Sequence, residues 1–397
     1  MTLALATSRP WTLPNRRILS IGRNATLTEH GNIAGTGGES VHLETVRDTL
    51  RAIERKQDAR DRTRTLNQLR VSFMDRHASG LWMVADGTGQ EEMLITQTAM
   101  LDLARCILPG HGLATIRKLA QTPGPDGLDV GEKLATAAWA HMSMAYGANK
   151  KMLVRECNMN VGTREDPDVR RVIRAVRTES YATFSNLDLV EALMPAYSDK
   201  PVLNWTLEDT RMRLRFQLDD TEWTTNAIIP IAEWGNSETG HSAVRGKGGK
   251  IRVVCTNGMT ANKEGFGSFS TPHSGNVERL GPWVSDVIEN IDVAARGTVQ
   301  MYQRSLAVAV DDLHGLVMGR MTGAGFGEEK AKKAVALLAD PTTTIEHVLG
   351  AAIDAITLCA QSEADLILQE RMEGEAMKLL SWGLNQGEVH GSIRIHA

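Results

Sequence analysis

The sequence predicts a mixed α+β fold: an antiparallel β-meander of about four strands, flanked by helices, with a mainly helical C-terminal region. Three observations lead there. Residues 210–218 alternate strictly, with Met212, Leu214, Phe216 and Leu218 on one side and Arg211, Arg213 and Arg215 on the other, the period-2 pattern of a half-buried strand. From Trp283 to the end, apolar residues recur at helical spacing. Between them lie short β-rich runs separated by glycine and acidic turns.

Taken in order, residues 1 to about 40 are rich in Gly, Thr, Asn and Ser, the composition of a flexible arm. Ser40 is placed to cap a helix over residues 45–69. In it Arg47, Arg51, Arg55, Lys56, Arg60, Arg62 and Arg64 interleave with Glu44, Asp48, Glu54, Asp58 and Asp61. Opposite charges three and four apart support a solvated helix, with a DNA-binding arm as the sharper alternative. Residues 81–85 read as a strand, and 96–108 and 132–145 as helices around a loop at 122–127. Residues 168–180 fit two patterns: a helix with Val169, Val172, Ile173 and Val176 on one face, or a β-branched strand. Asn186 starts a short helix that Pro195 stops. After the arginine strand comes a second one over 223–234, whose Pro230 suggests an edge or a bulge. Residues 241–245 and 250–255 read as two further strands joined by a tight Gly246-Lys247-Gly248-Gly249 turn. A long helix over 283–316, a break at 323–327 and helices over 328–338 and 343–371 complete the chain. The domain reading is an arm and charged helix (1–69), an α+β core with a basic-faced sheet (70–300) and a helical C-terminal region (301–397).

Composition bounds the function. The 397 residues carry a formal net charge of -4, so any nucleic-acid surface must be a local patch. Aromatic residues make up 5%, which disfavours an aromatic base-stacking platform. Cys106, Cys157, Cys255 and Cys359 form no C-x-x-C pair, which argues against structural zinc and for reduced thiols in the cytoplasm. No positively charged start with an apolar stretch marks a signal peptide, and no apolar run reaches membrane-spanning length, so no membrane partner is expected.

Catalytic signatures are absent: no G-x-S-x-G, no H-E-x-x-H and no P-loop lysine. The glycine loop at 323–327 leads into Glu328 and Glu329, which occupy the first turn where a phosphate would sit. The lone histidines His241 and His273 read as loop or core residues. No catalytic residue, metal ligand or cofactor is assigned.

The arginine strand carries the functional expectation. Arg211, Arg213 and Arg215 stand about 7 Å apart on one face, from a rise of ~3.3 Å per residue. That is close to the phosphate repeat of an extended single strand, and guanidinium binds phosphate bidentately. Arg245, Lys247, Lys250 and Arg252 add a basic hairpin, with no acidic residue between 241 and 254. Such a face must meet water, an anion or acidic neighbours. Asp209, Asp219, Asp220, Glu222 and Glu233 lie on or beside the same strands and could neutralise it.

The run Trp234-Gly235-Asn236-Ser237-Glu238-Thr239-Gly240, followed by Cys255-Thr256-Asn257-Gly258-Met259, resembles a family of uncharacterised proteins encoded by phages and plasmids, with an N-S-E-x-G strand end and a C-x-N-G strand. Arg174 to Tyr181 with Asn186, and His273-Ser274-Gly275-Asn276, resemble two weaker motifs of that family. The resemblance spans roughly residues 70–300 and implies a mobile-element origin in a bacterial cytoplasm. Physically, Asn257-Gly258 suits a chain reversal, Asn236 and Ser237 suit backbone capping at a strand end, and Glu238 is placed to pair with Arg245 or Arg252. At the level of fold, a basic-faced meander followed by a long helix looks like the core of phage single-strand annealing proteins. The expectation is a homo-oligomeric protein that binds single-stranded nucleic acid, or anneals strands in recombination, without catalytic chemistry. The alternatives are a structural or host-interaction assembly protein, and an enzyme with a pocket near Glu238, Asn257 and His241.

Overall fold

The computed structural model describes residues 19–21, 27–28, 42–73, 82–86, 92–107, 130–147, 149–160, 169–207, 211–220, 228–252, 257–260, 268–338, 347–363, 366–390 and 392–393. The chain folds as α+β, with two largely antiparallel sheets and a helical C-terminal region.

The first sheet has six strands in the order β3-β7-β8-β6-β5-β4: β3 (Arg60–Thr65), β4 (Leu69–Phe73), β5 (Trp82–Asp86), β6 (Glu92–Ile95), β7 (Lys151–Asn160) and β8 (Val169–Thr178). Only β6 and β8 run parallel. Helices α2 (Gln97–Ile107) and α3 (Val130–Gly147) pack on it through Met100, Leu103 and Trp139. Residues 169–178 are therefore strand. A bulge at Arg174 shifts the register, so Ile173 and Val176 both enter the core under α2 and α3, and the burial of every residue from 172 to 176 hides the alternation. The charged helix is shorter than its charge pattern suggests. α1 (Leu43–Gln57) ends at Asp58, which caps it in the left-handed region at φ 44°. After Ala59 the six residues Arg60–Thr65, with arginine at alternate positions, join the sheet as β3, so the core extends across the expected boundary at 69.

The second sheet has eight strands in the order β13-β12-β11-β10-β9-β1-β2, with β14 also paired to β12. Its members are β1 (Leu19–Ile21), β2 (Leu27–Thr28), β9 (Val202–Leu207), β10 (Met212–Gln217), β11 (Ile228–Asn236), β12 (Val244–Arg252), β13 (Asn257–Thr260) and β14 (Ser268–Thr271). Two short pieces of the expected flexible arm thus extend the sheet beside β9. One face of the sheet carries Met212, Leu214, Phe216, Ala232, Trp234 and Val244. Against it pack α4 (Asn186–Tyr197) and α5 (Leu280–Ser305), the latter through Val284, Val287, Ile291 and Ala295. Pro195 lies inside α4, and the helix runs on to Tyr197.

The glycine run at 246–249 is not a turn. Residues 244–252 form one continuous strand that pairs with β11 along its length. The glycines serve a close approach of α5. A Cβ at Gly246 would stand 2.2 Å from Ile291 Cδ1, and one at Gly248 would stand 2.5 Å from both Ala295 N and Ile291 O. Likewise Asn257 and Gly258 do not form a reversal: they open β13 and pair with Arg252 and Ile251. Pro230 occupies an interior strand, opposite Lys250, where the β10–β11 ladder is ending.

The expected long helix over 283–316 is divided. After α5, residues Ala309–Val310 form the short strand β15, which pairs with β16 (Ser392–Ile393), and α6 (Leu313–Gly323) follows. Gly325 and Gly327, both at φ 80°, make the break before α7 (Glu328–Leu338). Two helices, α8 (Leu349–Gln361) and α9 (Leu366–His390), stand where one is expected over 343–371. They share a separate apolar core with α6 and α7 through Val317, Met321, Ala334, Ile356, Met372 and Leu380. This unit sits against the second sheet by way of α8 and α9.

Candidate nucleic-acid interface

Strand alternation puts Arg213 and Arg215 of β10, and Arg211 just before it, on the sheet face away from α5. Register then aligns two rows across the strands. Arg215 stands opposite Glu233 of β11, which stands opposite Lys247 of β12. Arg213 stands opposite Gly235, which stands opposite Arg245. Of the two other hairpin cations, Lys250 has the opposite parity and points to the α5 side. The side chain of Arg252, and the whole of Cys255, Asp209 and Glu222, lie outside the described residues.

Of the three surroundings open to this face, the structure supplies acidic neighbours. Arg213 and Arg215 are both 6% exposed. Glu233 accepts from Arg215 Nε at 2.7 Å and lies 2.5 Å from Arg213 Nη2. Glu373 of α9 spans the same two guanidiniums, at 2.7 Å from each. Glu370, one turn earlier in α9, reaches Arg211 at 3.4 Å and Arg245 at 3.2 Å. Burial alone would push the Glu233 carboxyl up, but Arg213, Arg215 and Lys247 hold it well below the usual carboxylate range. Arg213, desolvated but facing Glu233 and Glu373, is held more firmly protonated than a free guanidinium.

The charges do not balance. Among the described residues the face brings together Arg211, Arg213, Arg215, Arg245 and Lys247, five cations, against Glu233, Glu370 and Glu373, three carboxylates, an excess of +2. Among the described residues of the sheet only Glu233 opposes them, an excess of +4. Lys247 is 3% exposed, lies 3.5 Å from Glu233 Oε1, and donates no hydrogen bond. A narrow cleft opens here, lined by Arg211, Arg213, Arg245 and Lys247, by the carboxylates Glu233 and Glu370, and by Gly235 and Ser242.

Lys250 does different work. It is fully buried, lies 3.2 Å from Asp354 of α8, and its ammonium stands 3.4 Å from the centre of the Tyr302 ring. Tyr302 donates to the other oxygen of Asp354 at 2.5 Å. This is a buried charge pair tying β12 to α5 and α8, a role that needs no external anion.

Of the family-motif residues, those at 236–240 meet Arg174, Tyr181, Asn186 and His273 at one joint between the two sheets, whereas Asn257 and Gly258 lie in β13, at the other end of β12. Glu238 does not turn toward Arg245. It pairs with Arg174 of β8 at 3.1 Å and Arg155 of β7 at 3.7 Å, and accepts from the backbone N of Asn186 at 2.8 Å. It therefore sits at the first turn of α4, where the helix dipole favours a carboxylate. Burial opposes ionisation, yet the two arginines and that N–H hold its carboxyl below the ordinary range. Asn236, fully buried, donates to Phe184 O and Asn186 Oδ1, and Ser237 Oγ accepts from His241 N, the capping role expected of both. Gly240 takes a positive φ, 71°, and a Cβ there would meet Arg177. Arg177 donates to His241 Nδ1 and pairs with Asp102, while Tyr181 donates to Ser237 O and stacks on His273. Thr239, 1% exposed, has its hydroxyl 2.9 Å from His241 Nδ1. Sequence reasoning named most of these residues; their mutual contacts were invisible because they lie up to about a hundred positions apart.

Among the described residues no group of three or more His, Cys, Asp or Glu is placed to hold a metal, and no helix is long and apolar enough to cross a membrane. Cys157 and Cys359 are buried free thiols. No curated protein and no solved structure matches the chain. Residues 207–306, about a quarter of its length, match the family model described as a domain of unknown function (DUF932), a segment that holds the arginine strand, Asn236–Gly240 and His273–Asn276.

Proposed function

We propose that this chain binds nucleic acid, single strands in preference to duplex, through the arginine face of the second sheet. The observation that carries the reading is the charge imbalance: five cations and one carboxylate on the sheet, with the remaining countercharge delivered by α9. A phosphate backbone competes with Glu370 for Arg211 and Arg245, since carboxylate and phosphate present the same bidentate acceptor geometry. Arg245, the most exposed of these cations, makes the first contact, and Arg211 follows once the partly exposed Glu370 that both pair with is displaced. A meander backed by one long helix supports annealing of strands by a homo-oligomer in the cytoplasm of a bacterium carrying a phage or plasmid. The role needs no chemistry at bonds.

Fluorescence anisotropy with labelled single- and double-stranded oligonucleotides at low salt tests the proposal. Single strands bind the full chain, and Arg211→Gln with Arg245→Gln weakens them by about tenfold or more, two charge-assisted contacts being lost. Equal and unchanged binding in that variant overturns it. The deep burial of Arg213 and Arg215 favours a second reading, a structural assembly protein whose arginines serve only to hold α9. That reading requires a stable oligomer with no affinity for either oligonucleotide.

A further inference from the structure

We infer that the cleft over Gly235 is a phosphate-binding subsite. The inference rests on the nucleic-acid reading only for the source of the phosphate, which is a backbone phosphodiester or a free phosphate ion.

The site exists because of one glycine. In the row Arg213–Gly235–Arg245 the central position carries no side chain, so two guanidiniums flank an unfilled gap. The void admits one water-sized group. One phosphate oxygen fills it while the others remain at the mouth.

The groups around the gap differ in how firmly they are held. Arg213 and Arg215 each have carboxylate oxygens within 2.7 Å and are fixed. Arg211 and Arg245 share one carboxylate, Glu370, at 3.4 and 3.2 Å, longer than a good charge-assisted bond. Arg245 keeps 34% of its side chain exposed and Glu370 20%, so this pair lies at the mouth. Lys247, deep in the cleft, has Glu233 at 3.5 Å and no hydrogen bond. An anion that displaces Glu370 therefore gains Arg245 at the mouth, and the more deeply buried Arg211 and Lys247 behind it. The network's +2 excess is enough to take up one phosphodiester charge or the two charges of a phosphate dianion.

Calorimetric titration of the full chain with inorganic phosphate at low ionic strength, alongside titration with a single-stranded oligonucleotide, tests the inference. Three variants separate site from scaffold. Arg245→Gln removes a mouth donor and weakens phosphate by about tenfold. Glu370→Gln removes the competing carboxylate and strengthens phosphate severalfold. Gly235→Ala fills the gap, and its methyl meets only Met212 O at 3.4 Å, so the chain still folds while phosphate binding is lost. If phosphate binds with this pattern and the oligonucleotide does not bind, the subsite stands and the nucleic-acid reading falls. If the oligonucleotide binds but phosphate does not, and Gly235→Ala and Glu370→Gln leave oligonucleotide affinity unchanged, the subsite is overturned and the nucleic-acid reading survives. Binding of neither overturns both.

Discussion

Replacing Glu373 by glutamine isolates what holds α9 on the arginine face. Glu373 is 1% exposed and takes a 2.7 Å bond from each of Arg213 and Arg215. The substitution keeps the side chain's shape and one acceptor oxygen but raises the network's excess from +2 to +3. Removing one partner of a buried pair costs about 3–5 kcal/mol. The retained oxygen and the continued presence of Glu233 place this case at the low end, about 3 kcal/mol. With an unfolding entropy of roughly 2.1 cal/mol/K per residue over 397 residues, Tm falls by about 4 °C if the chain unfolds as one unit. It falls further if the C-terminal helices leave first. Urea and thermal unfolding give both numbers, and a double-mutant cycle with Arg215→Gln should return a coupling of about 2 kcal/mol. A loss under about 1 kcal/mol, the worth of an exposed pair, would mean that the guanidiniums are solvated and would refute the buried-network argument.

Three further outcomes follow from other residues. Gly248→Ala drives a methyl into the α5 backbone at Ala295 and Ile291 and costs about 3 kcal/mol; Gly319→Ala, with nothing within 4 Å, is stabilising by up to about 1 kcal/mol, and urea midpoints compare them. Lys250→Met strips the fully buried Asp354 pair of its cation and lowers stability by about 3–5 kcal/mol, whereas a loss below about 1 kcal/mol would show the pair to be solvated. Glu233 and Glu238 ionise below their ordinary 4.5 in the folded chain, so the folded state holds fewer protons than the unfolded one. Their contribution is complete above about pH 4.5 and is lost as pH falls through the lower native values, so acid unfolding should be steep below pH ~4.5 and flatter in Glu233→Gln.

How much of this was legible depended on the distance over which each residue's partner lies. Arg211, Arg213 and Arg215 read as one face because alternation is a local property of a strand. What covers them did not, since Glu370 and Glu373 lie some 160 positions away on a helix whose own pattern says nothing of its target. Residues 246–249 were misread for a related reason. Gly-Lys-Gly-Gly suits a turn locally, and only the passage of α5 over β12 makes glycine necessary within a strand. At 169–178 both faces are buried, so apolar residues and Arg174 fell into a pattern that helix and strand share. The run Asn236–Gly240 was conspicuous as a sequence, but Arg174, Asn186 and Arg155 around Glu238 could be found only in the fold.

The salt dependence of single-strand binding bears most directly on the claim that this face engages phosphates. Each phosphate neutralised on a single strand contributes a slope of about -0.7 in log K against log salt. With Arg211, Arg245 and Lys247 engaged the slope is about -2, and Arg211→Gln with Arg245→Gln reduces it to about -0.7. A slope near zero, or a steep slope that the double substitution leaves unchanged, would contradict the account.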